Sequence, residues 1–169
     1  MIRLLLADDH PVVRKGLRTC LARRPHMRVV GEAGDGHEAV QKARELRPDI
    51  VLMDIDMPGV NGFAAAEVLR REMPEIKVLF LSAYSTAEYA MRVVRLGARG
   101  YLRKDASADE LMAAIEMVAA GEACFNPGVA LPVLSQRAGQ AGTGEDSKSP
   151  KPASSGIRRV PAIHRTGDS

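Results

Sequence analysis

The 169-residue chain has no tryptophan and only three tyrosines and three phenylalanines. Any core it buries must therefore be aliphatic. Cysteine is as scarce. Cys20 and Cys124 stand far apart, match no metal-ligand spacing and build no disulfide framework, so a reducing cytoplasm is expected. Long apolar runs are missing too. The first apolar stretch, residues 2–7, is too short for a signal-peptide core and runs into two acids. No stretch approaches membrane-spanning length, so no membrane partner is expected. Charge of one sign is lacking over residues 1–124, where 18 Lys and Arg meet 18 Asp and Glu. Residues 125–169 hold 6 basic and 3 acidic residues and so carry the whole net charge of +3. Basicity is a property of this tail and supplies no nucleic-acid surface on the body.

What the chain does have is 46% apolar and 27% charged residues, ordinary for a globular protein. Strand-like and helix-like patterns alternate five times before Gly121. Residues 2–7, 28–33, 50–53, 77–81 and 100–103 read as strands. The run at 50–53 is continuously apolar, as in a central parallel strand covered on both faces. Helices are predicted from 11 to 24, with Pro11 in the first turn and Val12, Val13, Leu17 and Leu21 at helical spacing. A second starts at Asp35, an N-cap acid with Glu38 three residues on. A third runs from Asn61 to Met73, a fourth from a capping box at Ser85 to Leu96, and a fifth from a capping box at Ser107 to Gly121. Such βα alternation predicts a doubly wound α/β fold with a parallel sheet.

After Phe125 the character changes. The last 45 residues hold five Pro, six Gly and six Ser. Residues 136–155 have almost no apolar content to offset ordering entropy, so the tail is expected to be disordered. The expected division is a folded domain at 1–122, a linker at 123–137 and a basic tail at 138–169.

Chemistry gathers at the strand ends. Asp8 and Asp9 follow the first strand, Asp54 the third, Ser82 the fourth and Lys104 the fifth. Carboxyl ends of strands joined by right-handed crossovers share one edge of such a sheet. Alone, each residue is an ordinary turn or surface residue; their joint placement points to a site. Asp54 is suited to accept a phosphoryl group as an acyl phosphate. The accumulated negative charge calls for Mg2+, which prefers carboxylates, backbone oxygen and water. Asp9, Asp54 and the Asp56 carbonyl could ligate it, with Asp8 holding the site or a bound water. Lys104 offers a point charge to a phosphoryl oxygen, and Ser82 a rotatable hydroxyl. His10 and His37 are assigned no chemistry.

Four motifs carry a family resemblance: Leu5-Leu6-Ala7-Asp8-Asp9-His10; the run from Val51 through Met53-Asp54-Ile55-Asp56-Met57-Pro58 to Gly62; Leu81-Ser82-Ala83-Tyr84; and Gly97 through Tyr101-Leu102-Arg103-Lys104. Residues 1–122 resemble a response-regulator receiver domain of two-component signalling, of the NarL/FixJ kind. The resemblance implies a flavodoxin-like five-stranded sheet in order 2-1-3-4-5 with five helices. It implies that Asp54 takes phosphate from a sensor histidine kinase, with Mg2+ at Asp8 and Asp9. It also makes Ser82 and Tyr101 the switch pair, Tyr101 filling space that Ser82 vacates. Many receivers place a cis proline after the lysine; here Asp105 follows, where a cis bond would cost about 2.5–4 kcal/mol. Subfamily members also carry a DNA-binding helix-turn-helix, and no amphipathic pattern for one follows residue 137. DNA binding by this chain alone is therefore not expected. Output is expected through the receiver surface, by dimerisation or by docking another protein.

Two other functions compete. One is a DNA-binding transcriptional regulator whose output domain is truncated or degenerate. The other is a haloacid-dehalogenase-like phosphatase, since Asp54-Ile55-Asp56 resembles that nucleophile motif. In those enzymes the acid pair comes last in the chain, whereas here it comes first. The expected protein is thus no enzyme beyond its own phosphorylation and dephosphorylation.

Overall fold

The computed structural model describes residues 1–84, 86–125 and 158–160, the last three by backbone alone. Strands β1 (Ile2–Ala7), β2 (Met27–Ala33), β3 (Ile50–Asp54), β4 (Lys77–Ser82) and β5 (Gly100–Arg103) alternate with helices α1 (Pro11–Leu21), α2 (Gly36–Leu46), α3 (Gly62–Glu72), α4 (Ala87–Arg95) and α5 (Ala108–Ala119). The parallel strands lie in order β2-β1-β3-β4-β5, as expected.

The expected five-stranded sheet is two strands too small. Residues 123–125, read as the start of a linker, form β6 (Ala123–Phe125), parallel to β5. Three residues are too few to show a period of two, so the pattern hid this strand. Gly121, at φ 88°, ends α5 and turns the chain back to the sheet. Beyond it, β7 (Arg158–Val160) pairs antiparallel with β6, within the tail expected to be disordered. The stub considered near Pro132 and the stretch 136–155 lie outside the described residues.

Alternation along each strand sends side chains to two cores. Leu5, Val51, Met53, Phe80 and Tyr101 face one side, with Ala39, Val40, Phe63, Leu69 and Val93 from α2, α3 and α4. Leu4, Leu6, Leu52, Leu79, Leu81 and Leu102 face the other, with Leu21 from α1 and Leu111, Ile115 and Val118 from α5. β3 is buried along its whole length, which is why its run is apolar on both parities.

The helix starts show why these segments are helical. Asp35, Asn61, Thr86 and Ser107 each accept a hydrogen bond from the backbone N–H three residues on. Ser107 and Glu110 complete a reciprocal capping box. At α4 the cap is Thr86 rather than Ser85, and residue 85 lies outside the described residues. At α2, Glu38 bonds to Gly34 N instead of closing the box on Asp35. The predicted first helix is three residues too long, and its Val12 is 82% exposed rather than buried. Val12 lies in the first turn of α1. Among the described residues no helix is long and apolar enough to cross a membrane.

Candidate functional site

Each strand delivers its polar residue at the point where its apolar run stops. Asp8 follows β1, Asp54 ends β3, Ser82 ends β4 and Lys104 follows β5. Adjacent registers, with Ala7 beside Met53, Asp54 beside Leu81 and Ser82 beside Arg103, bring these ends to one edge. Asp8, Asp54 and Ser82 are the buried polar residues among those described. A buried carboxylate needs a partner charge or a changed protonation state.

Lys104 supplies the charge. Its Nζ lies 2.9 Å from Asp8 Oδ2 and 3.1 Å from Asp54 Oδ2. The peptide bond to Asp105 is trans, so the loop reaches this position without the cis geometry of proline-bearing receivers. Asp105 instead pairs with Arg103 at 2.9 Å. Burial pushes the Asp54 carboxyl up to about 6, with the nearby Asp8 charge adding to it and Lys104 opposing. Burial pushes Asp8 up as well, but Lys104 and His10 outweigh it and hold that carboxyl below its ordinary value. Burial pulls Lys104 down, and its two carboxylate partners more than restore its charge. The two acids are thus driven apart, which is the pattern of a functional pair.

One cation does not satisfy the cluster. Asp8 Oδ2, Asp9 Oδ1 and Asp54 Oδ2 are buried oxygens with no well-directed hydrogen bond. Ligand atoms of Asp8, Asp9, His10 and Asp54 lie within 4.8 Å of one another. Three clustered carboxylates that share a single ammonium keep a net negative charge, and such oxygens fit a hard divalent cation. Asp56, expected to offer its carbonyl, turns its carboxylate away to accept from the Tyr89 hydroxyl at 3.0 Å. Its backbone N–H donates to Asp54 Oδ1 at 3.2 Å.

Close packing positions this loop. Gly62 N donates to the Ile55 carbonyl at 2.9 Å, and an added Cβ at Gly62 would collide with the Asp54 carbonyl. Only glycine lets α3 start so near the nucleophile candidate.

Ser82 is fully buried, and its Oγ accepts from Tyr84 N at 3.1 Å. Tyr101 departs from expectation. It is already fully buried, its hydroxyl donating to the Tyr84 carbonyl. Tyr84, quoted in the sequence only as part of the Leu81–Tyr84 motif and given no role there, bonds to both Ser82 and Tyr101 and is 62% exposed. His10 was also missed. Its Nδ1 lies 2.9 Å from Asp8 Oδ1 and 3.1 Å from Asp9 Oδ1. Its place directly after the acid pair was the available signal. Among the described residues, Cys20 and Cys124 form no disulfide.

Comparison with known proteins agrees with this architecture. Residues 4–116 match the family described as the response regulator receiver domain. The chain is 42% identical over 135 residues to the uncharacterized transcriptional regulatory protein YxjL of Bacillus subtilis, covering 80% of this chain and 62% of YxjL. It is 42% identical over 130 residues to response regulator GacA of Pseudomonas viridiflava, covering 77% and 61%. The chain thus spans under two thirds of the length of these relatives. Among solved structures, a LuxR-family two-component response regulator from Aurantimonas sp. SI85-9A1 superposes with TM-score 0.74 at 37% identity, over 80% of this chain and 96% of that one. The receiver domain of the putative response regulator NarL from Mycobacterium tuberculosis gives 0.69 at 33%, over 71% and 97%. A sheet ordered 2-1-3-4-5, an acid cluster bridged by a lysine at its edge, and a match over two thirds of the sequence lead to one assignment: the chain belongs to the response regulator receiver domain family.

Proposed function

We propose that this protein is a phosphorylation switch in which Asp54 accepts a phosphoryl group from the phosphohistidine of a sensor kinase. The observation that carries the reading is the Lys104 bridge across two buried carboxylates, Asp8 at 2.9 Å and Asp54 at 3.1 Å. A Coulombic partner that reaches both acids is placed to reach a phosphoryl oxygen added to one of them.

In the transfer, an Asp54 oxygen forms the new P–O bond as the P–N bond to the kinase imidazole breaks. The leaving imidazole keeps its electron pair and takes a proton from solvent. Asp54 reacts as the anion, so Lys104 serves by favouring the charged form against burial and Asp8. Asp8, Asp9 and Asp54 would hold Mg2+, with the Asp56 carbonyl, and the ion would offset the charge that carboxylates and phosphoryl oxygens bring together. Ser82 presents a hydroxyl toward the product. Its shift would release Tyr84 N and so disturb the backbone whose carbonyl holds Tyr101. In this reading the switch works by re-bonding the Tyr84 segment, with Tyr101 as its buried anchor.

The remaining expectations stand as proposals: a cytoplasmic setting, output through the receiver surface by dimerisation or protein docking, and a linker and basic tail after the domain. The receiver is amended to include β6. Incubation with acetyl phosphate and Mg2+, followed by intact mass, tests the core of the reading. Wild type should gain one phosphoryl group and Asp54→Asn none. A gain that persists in Asp54→Asn would refute it.

A further inference from the structure

We infer that the outer edge of β6 is a strand-addition site and that the chain's own basic tail is its built-in occupant, a detachable strand that keeps the edge closed. Cys124 N donates to the Arg99 carbonyl at 2.8 Å, toward β5. Backbone groups alternate in direction along a strand, so the N–H and C=O of Ala123 and Phe125 face the other way. The register sets these two residues opposite Val160 and Arg158. They are the positions at which antiparallel neighbours exchange both hydrogen bonds, while Cys124 stands opposite Arg159 in the non-bonded pair between them. β7 thus meets the groups that β6 leaves over.

The two strands differ in what a sheet edge requires. A strand that ends a sheet in solvent carries charge or proline, which deter further pairing. Ala123-Cys124-Phe125 has neither, and all of it is buried. Uncovered, it would be an apolar edge with its outward donors and acceptors unspent. Arg158-Arg159-Val160 is charged, and Pro161 follows with no N–H to offer a next strand. The sheet therefore ends well on β7 and badly on β6. Residues 126–157 connect the two strands. An extended chain covers about 3.3 Å per residue and antiparallel neighbours stand about 5.5 Å apart, so the connection reaches with length to spare. Tethering presents β7 to the edge at an effective concentration of about millimolar order, which a second copy at micromolar concentration does not match. A pairing three residues long is short enough to open locally, so its occupant is replaceable. β4 and β5 lie between this edge and β3, which carries Asp54, so the docking stands without phosphoryl transfer.

Residue-resolved amide exchange on the full chain tests this. In wild type the amides of Ala123 and Phe125 should be protected. Arg158→Pro combined with Val160→Pro removes the donors that face β6 and should speed exchange at Ala123 and Phe125 by about tenfold or more. Cys124, bonded to β5, should stay protected. Arg159→Pro removes an N–H that faces away from β6, where an edge strand admits proline, and should change none of these amides. A synthetic peptide of residues 156–163, added at about millimolar concentration, should slow Ala123 and Phe125 again in the double variant. Equal exchange in wild type and double variant would overturn the inference. So would an Arg159→Pro effect as large as that of the double variant, loss of Cys124 protection alongside the others, or no response to the peptide. Protection in wild type that grows with protein concentration, with a doubled mass in sedimentation, would show that a second copy supplies the strand and would also overturn it.

Discussion

Replacing Asp54 by Asn should stabilise the metal-free protein, although it deletes half of an ion pair. The Asp54 side chain is 2% exposed, and its carboxyl is raised from 3.8 to about 6 by burial and by Asp8, despite Lys104. Because the folded value lies above the unfolded one, the protonated carboxyl favours the fold, and that contribution is lost as pH rises from about 3.8 through about 6. Above both values the ionised group costs roughly 3 kcal/mol, at 1.36 kcal/mol for each pKa unit. Asn is neutral throughout and keeps nearly the same shape. It should therefore gain about 3 kcal/mol near pH 7.5 and less than about 1 kcal/mol near pH 4. Urea unfolding in EDTA at both pH values would measure this. Far-ultraviolet circular dichroism is the suitable probe, since the chain has no tryptophan. Saturating Mg2+ should close the gap by stabilising wild type alone, by about 2.7 kcal/mol at a hundredfold excess over its dissociation constant. A variant no more stable than wild type in EDTA near neutral pH would refute the reasoning. So would a gap that does not shrink in acid.

Other outcomes follow from the same geometry. Lys104→Ala strands two buried carboxylates and should cost about 3–5 kcal/mol at neutral pH; adding Asp54→Asn should recover much of the loss, and additive urea midpoints would contradict the bridge. Thermal melts should rise in millimolar Mg2+ for wild type but not for Asp9→Ala, and identical shifts would count against the acid cluster as the ion's site. Gly62→Ala forces a Cβ against the Asp54 carbonyl; it should lower acetyl-phosphate labelling and cost at least about 1–3 kcal/mol, as overpacking does, so normal labelling with normal stability would show that the loop can yield. Ser107→Ala removes the side-chain half of the α5 capping box and leaves the residue-107 N–H donating to Glu110; it should cost about 1 kcal/mol in urea unfolding with labelling unchanged.

Much of this protein was legible in its residues. The βα alternation, the helix caps at Asp35, Asn61 and Ser107, and the parity of apolar positions are local signals. They follow from hydrogen-bonding and periodicity rules that act within a few residues. The site's members were also visible, because each stands where an apolar run gives way to a polar residue. Less local features went unseen. β6 is too short to show a period and exists because β5 offers it an open edge. Val12 keeps helical spacing yet faces solvent, since spacing defines a face and not what covers it.

The chemistry divides along the same line. Sequence alone determined which groups this protein owns: three carboxylates, a hydroxyl and an ammonium at strand ends, in an order unlike that of the phosphatases they otherwise resemble. Tertiary structure decided how those groups act on one another. It set Lys104 within 3.1 Å of two acids, drove Asp54 up and Asp8 down, recruited His10 to the acid pair, and buried Tyr101. The reason is range. Backbone preferences are written within a few residues, whereas desolvation and Coulomb energy depend on what lies within a few ångströms, and only the folded sheet brings residues 8, 54 and 104 that close.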